Sequence, residues 1–177
     1  AMPLPKAPVY AASTVYGRDD EVAARLYLED RTPVPIVDLP KHLFDAVVAI
    51  EDYRFERHAG VDFYGILRAA YSNLLRSTVQ PGRTYQGAST ITQQLATALY
   101  LSRERTYSRK IKEAVLALKL ERRMTKTEIL EGYLNQVYFG HGAYGVEVAS
   151  QIYFGKPAAE VTLAEAAMLA GVLRSPE

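Results

Sequence analysis

Three helix starts are written into this chain, and they constrain its fold more than any other feature. Thr90 with Gln93, Thr125 with Glu128 and Thr162 with Glu165 each set a hydroxyl three residues ahead of a glutamine or glutamate. In such a capping box each side chain satisfies the other residue's free backbone N–H, which fixes where a helix begins. Apolar residues at helical spacing follow, as in Ile91, Leu95 and Leu99. The first box predicts a helix to about Tyr100. The second predicts one ending near Gly140, and the third the last helix of the chain. Four more helices complete the pattern. Asp38 is expected to cap one that carries Pro40 in its first turn and runs to about Arg54. Asp62 is expected to cap one through about Leu75. A helix from about Tyr107 to Met124 puts Ile111, Val115, Leu118 and Arg122 on one row. A helix from about Tyr144 to Phe154 stops at Gly155 and Pro157.

Residues 1–37 hold the β-like part, where "STVYGRDDEVAARLYLE" is expected to form a hairpin turning near Gly17 to Asp20. Pro81, Gly82 and Gly87 break the pattern into a long loop. The expectation is a mainly α domain over 38–177 of about seven helices, with a small N-terminal β appendage.

Composition narrows the function classes. The chain has 177 residues, 49% of them apolar and 23% charged, which suits one domain with a real core. A net charge of +1 gives no global field for nucleic acid, so no nucleic-acid partner is expected. With no cysteine there is no disulfide, thiolate nucleophile or cysteine metal site. No apolar run approaches the ~18–20 residues that span a bilayer, and no signal peptide is visible. The ends, "AMPLPKAP" and "LRSPE", lead us to expect a domain excised from a longer chain.

Three stretches carry candidate chemistry. In "IEDYRFERHAG" the apolar stripe Phe44, Val47, Val48 meets Glu51 where another apolar residue is due, and Phe55 then resumes it. Partial burial disfavours a charged carboxylate, the behaviour that a general base or acid near neutral pH needs. From spacing alone the commoner reading is a carboxylate paired with Arg54 or His58 at a helix end. Asp52 points about 100° away from Glu51. His58 either closes the carboxylate site or caps a helix, and structural use is the commoner. His42 and His141 lie far off and no HExxH exists, so no protein-encoded zinc site is expected.

In "YQGASTITQQL" a glycine-bearing loop enters a helix whose free N–H groups attract an anion, or are simply well capped. Gln93 and Gln94 need not be core there. Between Arg103 and Arg123 lie eight Lys or Arg and three Glu. A solvated face is the default for such a run, and a phosphate or pyrophosphate clamp, or an anionic membrane surface, is the sharper reading. Glu113 meets Arg109 and Lys110 on one face, and its row continues through Leu116, Ala117 and Leu120. On the fifth helix Ile129, Leu130, Leu134 and Val137 look like core, beside Glu131, Tyr133 and Asn135. Asn135 is expected to satisfy backbone groups.

Taken in order, "EDYRFERHAG", "GASTITQQL", "RKIKEAVLALKLE" and "ILEGYLNQVYFG" resemble the successive signature motifs of the peptidoglycan glycosyltransferases. These are the transglycosylase domains of bifunctional penicillin-binding proteins and of monofunctional enzymes. The resemblance covers about residues 38–176. It implies a lysozyme-like, two-lobed helical fold with a cleft, and a membrane-proximal jaw around 63–86 that is partly embedded in lipid. The implied substrates are lipid II and the growing lipid-linked glycan. Glu51 is implied as the base for the acceptor hydroxyl, in a single inverting displacement that makes a β-1,4 link and releases undecaprenyl pyrophosphate. Glu113, with Arg109 and Lys110, is implied to orient and neutralise that pyrophosphate. No tightly bound cofactor is implied, although a divalent cation, Mg or Mn, is a candidate assistant.

Carried over onto the same motifs, the implied substrate-binding residues begin with Asp52, Phe55, His58 and Gly60. Gly87, Ser89, Thr90, Gln93 and Gln94 follow from the second motif. Arg105 joins Arg109 and Lys110, and Tyr133 and Asn135 come from the last. The resemblance also implies an outer-face position on the bacterial cytoplasmic membrane, an anchor beyond this chain and a transpeptidase domain in the full-length protein. One departure stands out. After "TITQQL" the family continues with a variable residue, then Lys or Arg, then Asn, where this chain has Ala96, Thr97 and Ala98. Arg83, Arg103 or Arg105 is then the expected substitute cation. Two other readings stay open: a lysozyme-like enzyme that cuts glycan, and a weakly active or non-catalytic lipid II-binding domain. The cations around Glu113 separate the first of these, because a hydrolase of neutral glycan needs no pyrophosphate clamp.

Overall fold

The computed structural model describes residues 13–16, 22–26, 31–79, 89–101 and 106–174, and of these it describes side chains except at 13–16, 22–26 and 75–79. Ser13–Tyr16 (β1) and Val22–Leu26 (β2) pair antiparallel, with Ser13 opposite Leu26 and Val15 opposite Ala24. The turn expected between Gly17 and Asp20 lies outside the described residues. So do Arg83, Gly87, Arg103 and Arg105.

The rest is mainly helical. Seven α-helices run through the described residues: α1 Lys41–Glu51, α2 Phe63–Val79, α3 Ile91–Tyr100, α4 Tyr107–Glu121, α5 Lys126–Gln136, α6 Val146–Phe154 and α7 Leu163–Leu173. All three capping boxes form as the sequence predicts, at the starts of α3, α5 and α7. At α7 the box is reinforced. The Lys156 side chain and the Thr162 backbone and hydroxyl hold the Glu165 carboxyl down at about 2.

Several boundaries differ from expectation, each for a physical reason. Asp38 does not cap α1. It closes a short 3-10 turn, Ile36–Asp38, and Pro40 stands at the N-cap. The ring of Pro40 keeps Leu39 out of helical conformation, so no helix can run through it. α1 ends at Glu51 rather than near Arg54, because Asp52 leaves the helical conformation (φ −157°, ψ 70°) and sends its side chain to Ile91 N–H. α2 continues past Leu75 to Val79, and α4 stops at Glu121 rather than Met124. α5 stops at Gln136, short of Gly140, where Tyr138 and Tyr144 bridge as extended chain. α6 starts at Val146 rather than Tyr144, because Gly145 has φ +86° and cannot be helical.

Packing gathers the helices around α3. It lies against both α4 and α5, while α1 packs on α7. Leu43 and Val47 of α1, Ile91 and Leu95 of α3, and Ile129 and Leu134 of α5 are all fully buried, as are Ala166 and Leu169 of α7. Each fully buried aliphatic side chain contributes ~1.5–3 kcal/mol. Close approach needs small residues at two places. A Cβ on Gly132 would meet the Leu95 methyls at 3.3 and 3.6 Å, so its absence lets α5 seat against α3. Gly60 (φ +94°) lies on α4, where a Cβ would fall 2.9 Å from the Ala117 carbonyl carbon and oxygen. That contact brings the loop after α1 onto the helix that carries Glu113.

Asn135 fulfils its expected structural role. Its amide accepts from Val34 N–H (2.9 Å) and donates to Val34 C=O (2.8 Å) and Glu131 C=O (3.0 Å). Glu131 adds a hydrogen bond from Ile36 N–H (2.8 Å), so α5 holds the chain leading into α1.

Candidate active site

α3 brings the two acidic residues together. Gln94 Nε2 donates to Glu51 Oε2 at 2.7 Å. Thr97 Oγ1 donates to Glu113 Oε2 at 3.2 Å. Residues three apart on a helix are neighbours on one face. Glu51 from α1 and Glu113 from α4 therefore meet the same side of α3, one turn apart.

Their surroundings differ. Glu51 is half-buried and faces a neutral amide, and no described residue forms a hydrogen bond to its Oε1. Neither Arg54 nor His58 pairs with it, contrary to the commoner expectation. Arg54 instead faces Asp62 (Nε to Oδ2, 3.2 Å) and stacks on the Tyr64 ring at 4.4 Å. Glu113 is 3% exposed and fully engaged. Lys110 Nζ donates to its Oε1, and Arg109 Nη1 donates to Oε2 at 3.2 Å. Lys110 also donates to Ser89 Oγ at 2.8 Å. Its side chain is half exposed, so its ammonium can turn to an arriving anion while Glu113 stays in place.

The amide of Gln94 is oriented from behind. Tyr133, 1% exposed, donates its hydroxyl to Gln94 Oε1 at 3.2 Å. Burial, with the nearby Glu51 charge, pushes the phenol far up, so it stays a donor. With Oε1 engaged, Nε2 must face Glu51. Tyr133→Phe frees the amide to flip and present an oxygen to the carboxylate. We expect a roughly tenfold lower turnover at a stability cost of about 1–2 kcal/mol, read from initial rates beside thermal melts. An unchanged rate would mean that another group orients Gln94.

Asp52 locks α1 to α3. It is buried, and its Oδ2 accepts from Ile91 N–H at 3.1 Å, at the positive end of the α3 dipole. His58 Nε2 approaches both carboxylate oxygens, at 3.0 and 2.9 Å. His58 Nδ1 accepts from Gly60 N–H (3.2 Å), so the proton of the neutral ring sits on Nε2 and is donated to Asp52. Thr90 continues the chain of contacts, donating its hydroxyl to Gly60 C=O at 2.6 Å.

The other candidate residues fall into two sets. Phe55 is 1% exposed, with the His58 ring against its edge and the Lys126 ammonium 4.3 Å from its centroid. Gln93, which the spacing left free not to be core, is 3% exposed, because its side chain closes the capping box on Thr90 N–H (3.1 Å). These two, with Asp52, His58, Gly60, Thr90 and Asn135, are occupied by protein contacts. Glu51, Gln94, Ser89 and Lys110 keep some access. Sequence reasoning missed the bond from Thr97 to Glu113, having read Thr97 as a lost cation. The three-residue spacing of Gln94 and Thr97 was the available signal.

A divalent cation does not fit the described side chains as they stand. Both oxygens of Glu113 already carry cations, and among the described residues no group of three His, Asp or Glu is arranged to hold a metal.

Comparison with known proteins bears on the same residues. A family model described as Transglycosylase matches residues 19–177. Penicillin-binding protein 1A of Aquifex aeolicus is 49% identical over 165 residues, covering 93% of this chain and 22% of that protein. Penicillin-binding protein 1F of Bacillus subtilis is 42% identical over 168 residues, covering 95% and 23%. Penicillin-binding protein 1A of Neisseria gonorrhoeae is 48% identical over 172 residues, covering 97% and 20%. The chain thus spans about a fifth of the length of the curated relatives it matches. Matched along most of its length by one family model, and at nearly half of its positions by relatives from three genera, the chain belongs to the transglycosylase family.

Proposed function

We propose that this chain is a peptidoglycan glycosyltransferase that polymerises lipid II into β-1,4-linked glycan. The observation that carries the reading is the pair of unlike carboxylates on one face of α3, Glu51 with an oxygen that no described residue engages and Glu113 bound by two cations. Glu51 takes the proton from the 4-hydroxyl of the acceptor GlcNAc. That oxygen forms a bond to C1 of the donor MurNAc as the C1–O bond to the lipid pyrophosphate breaks. Attack opposite the leaving group turns an α into a β linkage. The pyrophosphate departs already charged, so Lys110 and Arg109 stabilise it where an acid would gain little. The two carboxylates then stand at a cleft between two lobes of a lysozyme-like domain. The exposed apolar residues of α2, Phe63, Leu67, Tyr71 and Leu74, suit the lipid-embedded jaw. A membrane anchor and a transpeptidase domain belong, on this reading, to the full-length protein on the outer face of the membrane.

Incubation with labelled lipid II in detergent, with and without moenomycin, tests the reading on a gel. Polymer that moenomycin suppresses supports it. Shortening of preformed glycan would favour the hydrolase, and lipid II binding without polymer the non-catalytic domain. A companion experiment addresses position 97. Thr97→Lys adds a third cation beside Glu113, and a charged hydrogen bond to phosphate contributes ~1.5–3 kcal/mol. Moenomycin affinity, measured by calorimetry, should rise about tenfold or more. No gain would argue that another cation already fills the role.

A further inference from the structure

We infer that Lys126 and Glu121 are a positioning pair for the proposed reaction, holding the end of α1 and the start of α3 in the relation that puts Gln94 on Glu51. α5 opens on Lys126, directly after its Thr125 cap. A cation is the wrong sign for the positive end of a helix dipole. Residues that break a local rule are expected where function or the wider fold demands them.

The contacts of Lys126 name that demand. Its ammonium donates to His58 C=O and to Glu121 Oε1, both at 2.7 Å. It also lies 4.3 Å from the centroid of the buried Phe55 ring. The same Glu121 oxygen accepts from Thr92 Oγ1 at 2.6 Å. Thr92 is fully buried in the first turn of α3, two residues ahead of Gln94. The carbonyl that Lys126 holds belongs to His58, whose ring donates to Asp52, the neighbour of Glu51. One ion pair thus reaches both sides of the Glu51–Gln94 hydrogen bond, through His58 and Asp52 on one side and Thr92 on the other.

The pair also joins the helices themselves. Glu121 is the last residue of α4 and Lys126 the first of α5. Glu121 Cγ lies 3.1 Å from where a Cβ on Gly60 would stand, so the loop after α1 is seated directly against it. A misplacement of about 1 Å at a reacting group can cost ~10²-fold in rate. The rate effect rests on the proposed polymerisation, while the geometry stands without it. Because the pair acts through other residues, it should govern kcat and leave KM alone.

Lys126→Met keeps an apolar stem over Phe55 but strands the Glu121 charge, so the decisive variant is the double, Lys126→Met with Glu121→Gln. The substituted amide can still accept from Thr92 and no unpaired charge remains, so the thermal midpoint should stay close to wild type. The kcat for lipid II polymerisation should nonetheless fall about tenfold at unchanged KM. Lys126→Arg keeps the charge and the donors and should retain most of the rate. The NMR signals of the Gln94 side-chain amide give a readout that needs no substrate. They should move in the double variant and stay in place in Lys126→Arg. A wild-type kcat in the double variant, a raised KM at wild-type kcat, or an unmoved Gln94 amide would each overturn the inference. A wild-type chain that makes no polymer, with the amide still moving in the double variant, would overturn the proposed reaction and support the positioning.

Discussion

Glu51→Gln should abolish glycan polymerisation while leaving the domain folded. The variant keeps the size of the side chain and can still accept from Gln94 Nε2, its one described hydrogen-bond partner. It loses the ability to take a proton. General-base assistance is worth ~10²- to 10⁴-fold, about 3–5 kcal/mol of barrier. Lipid II turnover on a gel should fall by that factor, with a thermal midpoint close to wild type. Since the amide and the acid share their contacts, a large loss of stability would show that Glu51 is mainly structural. Elongation at the original rate would remove Glu51 from the chemistry altogether.

Asp52→Ala should do the reverse and act through the fold. Removing this buried carboxylate leaves Ile91 N–H and His58 Nε2–H without their acceptor. Each stranded buried donor costs about 1–3 kcal/mol, so a loss near 3 kcal/mol is expected. For a domain of this size that is a fall of roughly 6–12 °C in the thermal midpoint. Asp52→Asn retains one acceptor and should recover about half. Activity should suffer as well, because Asp52 fixes the start of α3, and Gln94 lies less than one turn further on. A midpoint within about 2 °C of wild type would show that something else joins α1 to α3.

The sequence made local features legible and hid distant ones. The three capping boxes were readable because their partners stand three residues apart. Glu51 was readable because it interrupts an apolar row, and Glu113 because it joins Arg109 and Lys110 on a face that runs on into Leu116, Ala117 and Leu120, which takes only helical spacing to notice. The end of α1 was not, since the bond that draws Asp52 out of the helix spans 39 residues. Nor was the Gln94 contact, across 43 residues, which replaced the nearer partners Arg54 and His58. Gln93 and Gln94 illustrate the limit. They are adjacent and alike, yet one closes a cap and the other reaches the acid, and only their orientation after packing separates them. Thr97 shows the same limit from the other side, because a residue read by the charge it lacks turns out to hold Glu113 by its hydroxyl.

Gln94 and Thr97 are separated by only ~4.5 Å along the axis of α3. In the proposed reaction a single stiff rod therefore spaces the group that collects a proton from the group that steadies the departing anion. A shift of α3 moves both of these contacts together. In the proposed polymerisation that interval is the same at every linkage, which leaves the sugar chain as the part that moves past a fixed ruler.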